Sequence, residues 1–151
     1  MKKAFTMIEL IFVIVILGIL AAVAIPKLAA TRTDAVISKT AQNIMTGVSE
    51  ISGYAMSQAN VNPDLSVMSN SIKAMVDAGE ATITTATQKV DIQTDGSNCV
   101  TIQVDTNASA GTDTLKIDFI TANTGNICVG LQGAINTSRY PMKLRGTNVT
   151  Y

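Results

Sequence analysis

Sixteen consecutive residues, Leu10 to Ile25, carry no polar side chain, and Pro26 closes the run. Twelve of them are Leu, Ile, Val or Phe. Each contributes about −0.3 to −0.6 kcal/mol to membrane insertion at mid-helix, so the run offers roughly −4 to −7 kcal/mol. A carboxylate at the helix centre costs about 2.5 to 3.5 kcal/mol on the same scale, so insertion wins even with Glu9 included. Counting back to Phe5 gives 21 residues, about 32 Å of helix against a hydrocarbon core of about 30 Å. Lys2 and Lys3 precede the run and no acid occurs before Glu9. The positive-inside rule therefore keeps the N-terminus cytoplasmic and sends everything after Pro26 across the membrane.

The rest of the composition argues against catalysis. A chain of 151 residues is one domain's worth, and it contains no histidine and two cysteines. Without imidazole there is no Ser-His-Asp or Cys-His hydrolysis, no His-ligated zinc and no HExxH site, and two thiols cannot make a four-thiolate centre. The residues have to be read for architecture and assembly, and no enzyme is expected.

A basic start, an apolar stretch and Ala22-Val23-Ala24 also fit a cleaved secretory signal, which would make the product a secreted soluble protein. Pro26 two residues after such a cut, and Glu9 just before the apolar run, speak against it. The residues beyond Pro26 do so too: Ile37, Ala41, Ile44, Val48, Ile51 and Ala55 recur in alternating steps of four and three, one stripe of a continuing helix. That helix, unbroken to about Ala59, would be roughly 80 Å long. Pro26 removes a backbone donor and predicts a kink or break in it.

The run Ala4-Phe5-Thr6-Met7-Ile8-Glu9, then the apolar stretch, Pro26 and an amphipathic continuation, closely resembles type IV pilins and type II secretion pseudopilins. The resemblance implies a leader, Met1 to Ala4, removed by the inner-membrane prepilin peptidase, with N-methylation of the new first residue, Phe5. Ala4 stands where the family usually has Gly. Glu9 corresponds to the acid five residues into the mature chain, and the resemblance implies that it pairs with the Phe5 amine of a neighbouring subunit. A carboxylate in lipid is itself a functional signal with a partner to be named, and one buried ion pair per subunit sets register as much as strength. The alternative is that Glu9 sits at the headgroup level.

Asn60-Val61-Asn62-Pro63 ends the long helix. A second helix is predicted from Asp64 to Ala78, with Leu65, Met68, Ile72, Met75 and Val76 on one face and Gly79 as its stop. Beyond Glu80 the period changes to two: strands are predicted near Ala81 to Thr85, Lys89 to Thr94, Cys99 to Thr106, Thr114 to Thr121 and Ile127 to Leu131. Asp95-Gly96 and Thr124-Gly125-Asn126 supply turns, giving an antiparallel meander with one face on the helix stripe. Cys99 and Cys128 both fall outside the cytoplasm, where disulfides persist, and are expected to pair. Closing that loop would stabilise by roughly 3 to 4 kcal/mol in the chain-entropy model. Two buried free thiols are the alternative; in many pili, less often in pseudopilins, such a bridge fastens the C-terminal part of the domain.

Charge is unevenly placed. Phe5 to Asp118 carries six basic and eleven acidic side chains, whereas residues 119 to 151 carry Arg139, Lys143 and Arg145 and no acid. A solvated basic edge, attraction between subunits, or a DNA or acidic surface ligand would each use these cations, although without interleaved aromatics they are a thin nucleic-acid footprint. Asp105-Thr106-Asn107-Ala108-Ser109 matches an extended acidic glycosylation sequon centred on Asn107. Asp91, Asp95, Asp105 and Asp113 are potential calcium oxygens, but no dense EF-hand-type loop is present; no resident cofactor is expected.

The expected fold is α+β and pilin-like. It comprises a leader over 1–4, a membrane and filament-core helix over 5–26, an amphipathic helix over 27–59, and an extracytoplasmic β-rich head over 60–151. The expected function is that of a filament subunit, held in the inner membrane by one span, trimmed by prepilin peptidase and polymerised by an inner-membrane assembly platform. It ends on the cell surface in a pilus or in a periplasmic pseudopilus that exports proteins. A monomeric membrane-tethered binding module is the alternative from another class.

Overall fold

The computed structural model describes residues 5–107 and 112–145. Helix α1, Met7–Gln58, is followed by α2, Leu65–Met68, and α3, Asn70–Asp77. Then come β1, Ala81–Thr84, a 3₁₀ turn over Thr85–Thr87, β2, Lys89–Thr94, β3, Ser97–Asn107, and β4, Thr112–Phe119. Helix α4, Asn126–Ala134, and β5, Met142–Arg145, complete the described residues. The chain divides into two compact units between Ala35 and Val36.

In the first unit, side chains from Phe5 to Arg32 are exposed all round the helix, as an apolar surface without a core must be. Pro26 lies inside α1, which runs on through it, so of the kink or break expected there the break does not occur. The ring forfeits one N–H, while the bonds of flanking residues continue the ladder. Just beyond it Thr31 Oγ1 donates to the Leu28 carbonyl at 2.9 Å and Thr33 Oγ1 to that of Ala29 at 3.2 Å, so these hydroxyls are satisfied by the helix itself.

In the second unit the predicted stripe does become the buried face: Ile44, Val48, Ile51 and Ala55 are fully buried in a core with Leu65, Ile72, Met75, Ile92, Ile102, Leu115 and Leu131. The expected helix over Asp64 to Ala78 is in two pieces. Ser69 is extended (φ −147°, ψ 121°) and caps α3, its Oγ accepting from Ile72 N at 3.0 Å. A short polar side chain able to bond the following amides competes with helix continuation, and here the cap wins. Gly79, at φ +72°, stops α3 as predicted; Glu80 N donates to the Met75 carbonyl at 2.8 Å.

The five strands form one antiparallel sheet in the order β1-β2-β3-β4-β5. Asp95 (φ 51°) and Gly96 (φ 75°) make the two-residue β2–β3 hairpin, in which two left-handed positions match the strand twist. A bulge lies just beyond it: Ile92 pairs with Val100 but Gln93 with Asn98, leaving Cys99 as the extra residue. Bulges re-aim side chains, and Cys99 and Val100, although consecutive, are both fully buried.

Two sequence expectations fail at the C-terminal end. Ile127 to Leu131 is not a strand; it lies in α4. Cys128, Leu131 and Ile135, the buried residues here, are spaced three and four apart, a helical interval that a short apolar run hides. The fifth strand is Met142–Arg145, four residues behind Pro141 and too short for its alternation to register.

Candidate functional site

The N-terminal end of α1 is held by its own sequence. Thr6 precedes the helix, and the Glu9 carboxylate turns back to it: Oε2 accepts from Thr6 N at 3.0 Å and from Thr6 Oγ1 at 2.7 Å. Glu9 N donates in return to Thr6 Oγ1 at 3.4 Å. This is a reciprocal capping box, which satisfies helix-end donors and places negative charge at the positive end of the dipole. Sequence reasoning misses Thr6 as a site residue, although Thr6-Met7-Ile8-Glu9 shows the Thr-x-x-Glu spacing that signals such a cap. Phe5 next to it is 80% exposed; Ala4 lies outside the described residues. From Leu10 to Ile25 the helix then offers apolar side chains to its surroundings on every side, and it is the one helix among the described residues long and apolar enough to cross a membrane.

Residues 1–25 match the family model described as the prokaryotic N-terminal methylation motif. The chain carries the type IV pilin and pseudopilin signature. The methylation motif marks a prepilin peptidase substrate and a structural subunit, and with the apolar helix it fits a membrane-anchored precursor. Neither a curated protein nor a solved structure matches the chain.

The head presents a second set of functional groups. Cys99 on β3 and Cys128 on α4 form a disulfide with Cα atoms 5.6 Å apart, tying the sheet to the helix beyond it. Gln132, one turn on from Cys128, has no counterpart in the sequence reading: its Nε2 lies 3.2 Å from Cys128 Sγ, 3.4 Å from the Cys99 carbonyl and 3.2 Å from the Ile120 carbonyl. It therefore adds a second donor beside the bridge to carbonyls that already accept backbone amides, that of Cys99 from Ile120 N at 2.9 Å and that of Ile120 from Asn123 N at 3.1 Å. Glu50 of α1 clasps α3, accepting from Ser69 Oγ at 2.6 Å and Ser71 N at 3.0 Å. The Ser69 hydroxyl, and then the Ser71 amide, hold the Glu50 carboxyl below its ordinary range.

The four aspartates are not brought together. Asp91 is engaged by Lys89 at 2.9 Å and by the Thr101 hydroxyl at 2.6 Å. Asp105 pairs with Lys116 and accepts from Gln103, and that carboxylate raises the Lys116 pKa. Asp95 sits in the β2–β3 turn and Asp113 is buried on β4. Among the described residues no group of three or more metal-ligating side chains exists. Arg139 and Lys143 are exposed, and Arg145 ends β5. Asn107 ends β3, and Ala108 and Ser109 of its sequon lie outside the described residues.

Proposed function

We propose that this chain is the structural subunit of a type IV pilus-like filament, cut between Ala4 and Phe5, methylated on Phe5 and polymerised through its N-terminal helix. The observation that carries this is the first unit: an apolar surface exposed on every side, headed by one carboxylate. Such a surface is stable in lipid before assembly and against copies of itself afterwards. In the filament the Phe5 amine of a neighbour competes with Thr6 for Glu9, exchanging hydrogen bonds within one chain for an ion pair between two. Pro26, which already lacks one helix bond, is the position where α1 yields when subunits pack. Prepilin peptidase, the inner-membrane assembly platform and further copies of the chain are its partners, and it needs no cofactor. The Cys99–Cys128 bridge supports the pilus over the pseudopilus.

Intact mass and N-terminal sequencing of protein from native membranes test the processing: a chain starting at N-methylated Phe5 is expected, whereas a start at Ile25 would make it a secreted protein. Glu9→Ala tests the assembly, with normal membrane insertion and loss of fibres expected. Unchanged function in that variant would favour a tethered module that never polymerises.

A further inference from the structure

The loop from α4 to β5 carries a motif for which subunit packing has no use. Asn136-Thr137-Ser138 places a hydroxyl two residues beyond an asparagine with no proline between them, the spacing of an N-glycosylation acceptor. Asn107 and Asn148 have the same spacing, with Ser109 and Thr150. Of the three, only Asn136 has its whole triplet among the described residues.

Helix α4 delivers this triplet to solvent. Ile135 leaves the helix in an extended conformation (φ −94°, ψ 122°) with its own side chain buried, and Asn136 and Ser138 behind it are exposed. Asn136 Oδ1 accepts from Ser138 N at 2.9 Å and from Ser138 Oγ at 2.6 Å. A carboxamide has one acceptor oxygen and two amide hydrogens; the turn engages the oxygen, while Nδ2 donates to nothing among the described residues. Tyr140 N donates to the Thr137 carbonyl at 2.9 Å, so the backbone closes the bend without help from Asn136. The two donors on Oδ1 also suit the chemistry. An amide nitrogen becomes a nucleophile as it gives up a proton, and the charge then develops on the carbonyl oxygen, where Ser138 already aims both donors.

We propose that Asn136 is an N-glycosylation site, loaded by a membrane transferase from a saccharide carried on a lipid pyrophosphate. In that step Nδ2 bonds to the anomeric carbon of the saccharide and the bond from that carbon to the pyrophosphate oxygen breaks. The lipid pyrophosphate leaves with the electron pair, and the Nδ2 proton passes to a base of the transferase. A donor dissolved in the membrane fits this chain because the apolar run tethers the head beside the outer leaflet before assembly, whereas nucleotide sugars of the cytoplasm never meet residues beyond Pro26. The proposal therefore rests on the filament reading and its tethered precursor. Ala134 stands where the extended sequon carries an acid, so the transferase reads the short triplet.

Full-length protein purified from native membranes carries the test. After reduction and trypsin, Asn107 and Asn136 fall in separate peptides, 90–116 and 117–139. Fragmentation mass spectrometry reads both, and the intact mass reports the N-terminus. A saccharide on 117–139, localised to Asn136, is expected. Ser138→Ala should abolish it and Ser138→Thr should retain it, with an intact Cys99–Cys128 bridge in both as the check on folding. Asn136→Gln, which moves the amide out by one methylene, should lose it too. A bare 117–139 peptide, a saccharide on 90–116 only, or one on the Thr137 or Ser138 hydroxyl would overturn the proposal. A chain starting at Phe5 with a bare peptide overturns the modification and leaves the filament reading standing, whereas a start at Ile25 overturns the filament reading and the tethered acceptor together.

Discussion

Replacing Glu50 by Gln isolates the charge in the clasp between α1 and α3. The carboxylate accepts from Ser69 Oγ at 2.6 Å and from Ser71 N at 3.0 Å, at the first turn of α3. Gln keeps the shape and one acceptor but loses the charge. Hydrogen bonds to a charged acceptor exceed neutral ones by about 1 kcal/mol each, and an anion at a helix N-terminus adds about 0.3 to 1 kcal/mol. Partial exposure of the site reduces the sum, leaving about 1.5 to 2 kcal/mol, a factor of roughly 10 to 30 in local opening. Hydrogen exchange of the Ser71 and Ile72 amides, read on the full-length protein in micelles, should be faster in the variant by that factor near pH 7. The carboxyl is depressed in the folded state relative to its ordinary value of 4.5. Its contribution is therefore complete above that pH and is lost as acid takes the folded group through its own lower pKa. Wild type should converge on Glu50→Gln in acid. Equal protection at pH 7, or a difference that survives unchanged at pH 3, would refute the clasp.

Gly47→Ala should destabilise the head by about 1 to 3 kcal/mol, because an added Cβ would stand 2.8 Å from Ile72 Cδ1 in a fully buried site; urea unfolding followed by circular dichroism measures it. Gly53→Ala, on the same helix with open space around it, is the control and should stabilise by about 0.5 to 1 kcal/mol. Converting both Cys99 and Cys128 to Ser removes the bridge across 29 residues and should cost roughly 3 kcal/mol, seen as a lower midpoint that no longer responds to reductant. Thr6→Val should weaken the capping box by about 1 kcal/mol, read as faster exchange at Ile8 and Glu9 with the rest of α1 unaffected.

The elements most legible in the sequence are those whose period runs long enough to exclude alternatives. The steps of four and three from Ile37 to Ala55 declare a helix and its buried face, and Lys89 to Thr94 coincides with β2 because alternation ends at Asp95-Gly96, a pair that favours the two-residue hairpin turn. Short segments are less legible. Ser69 sits in an otherwise good helical pattern, and its cap on α3 depends on Glu50, nineteen residues away. The α4 run reads equally as strand or helix until Cys128 is seen meeting a bulged Cys99. At the N-terminus the apolar run and Glu9 stand out, while Thr6 is easily passed over because a cap is weaker in composition than a charge within lipid. Gln132 leaves no signal, since an amide reaching two carbonyls, those of Cys99 and Ile120, in distant parts of the chain has no sequence spacing.

Each strand pairs with the one before it in the chain, from β1 through β5. For a polypeptide delivered N-terminus first this has a consequence in time. The helical stripe that floors the core is out before any strand, and every new strand finds its pairing edge already present, so no edge has to wait bare for a segment still inside. Nearest-neighbour pairing of this kind keeps loop-closure costs small and shortens the interval in which an open edge can recruit the wrong chain. The thiol of Cys99 must also wait, having no partner until Cys128 has emerged, which makes the bridge a seal on the four strands β1 to β4, with β5 still to be added at the edge.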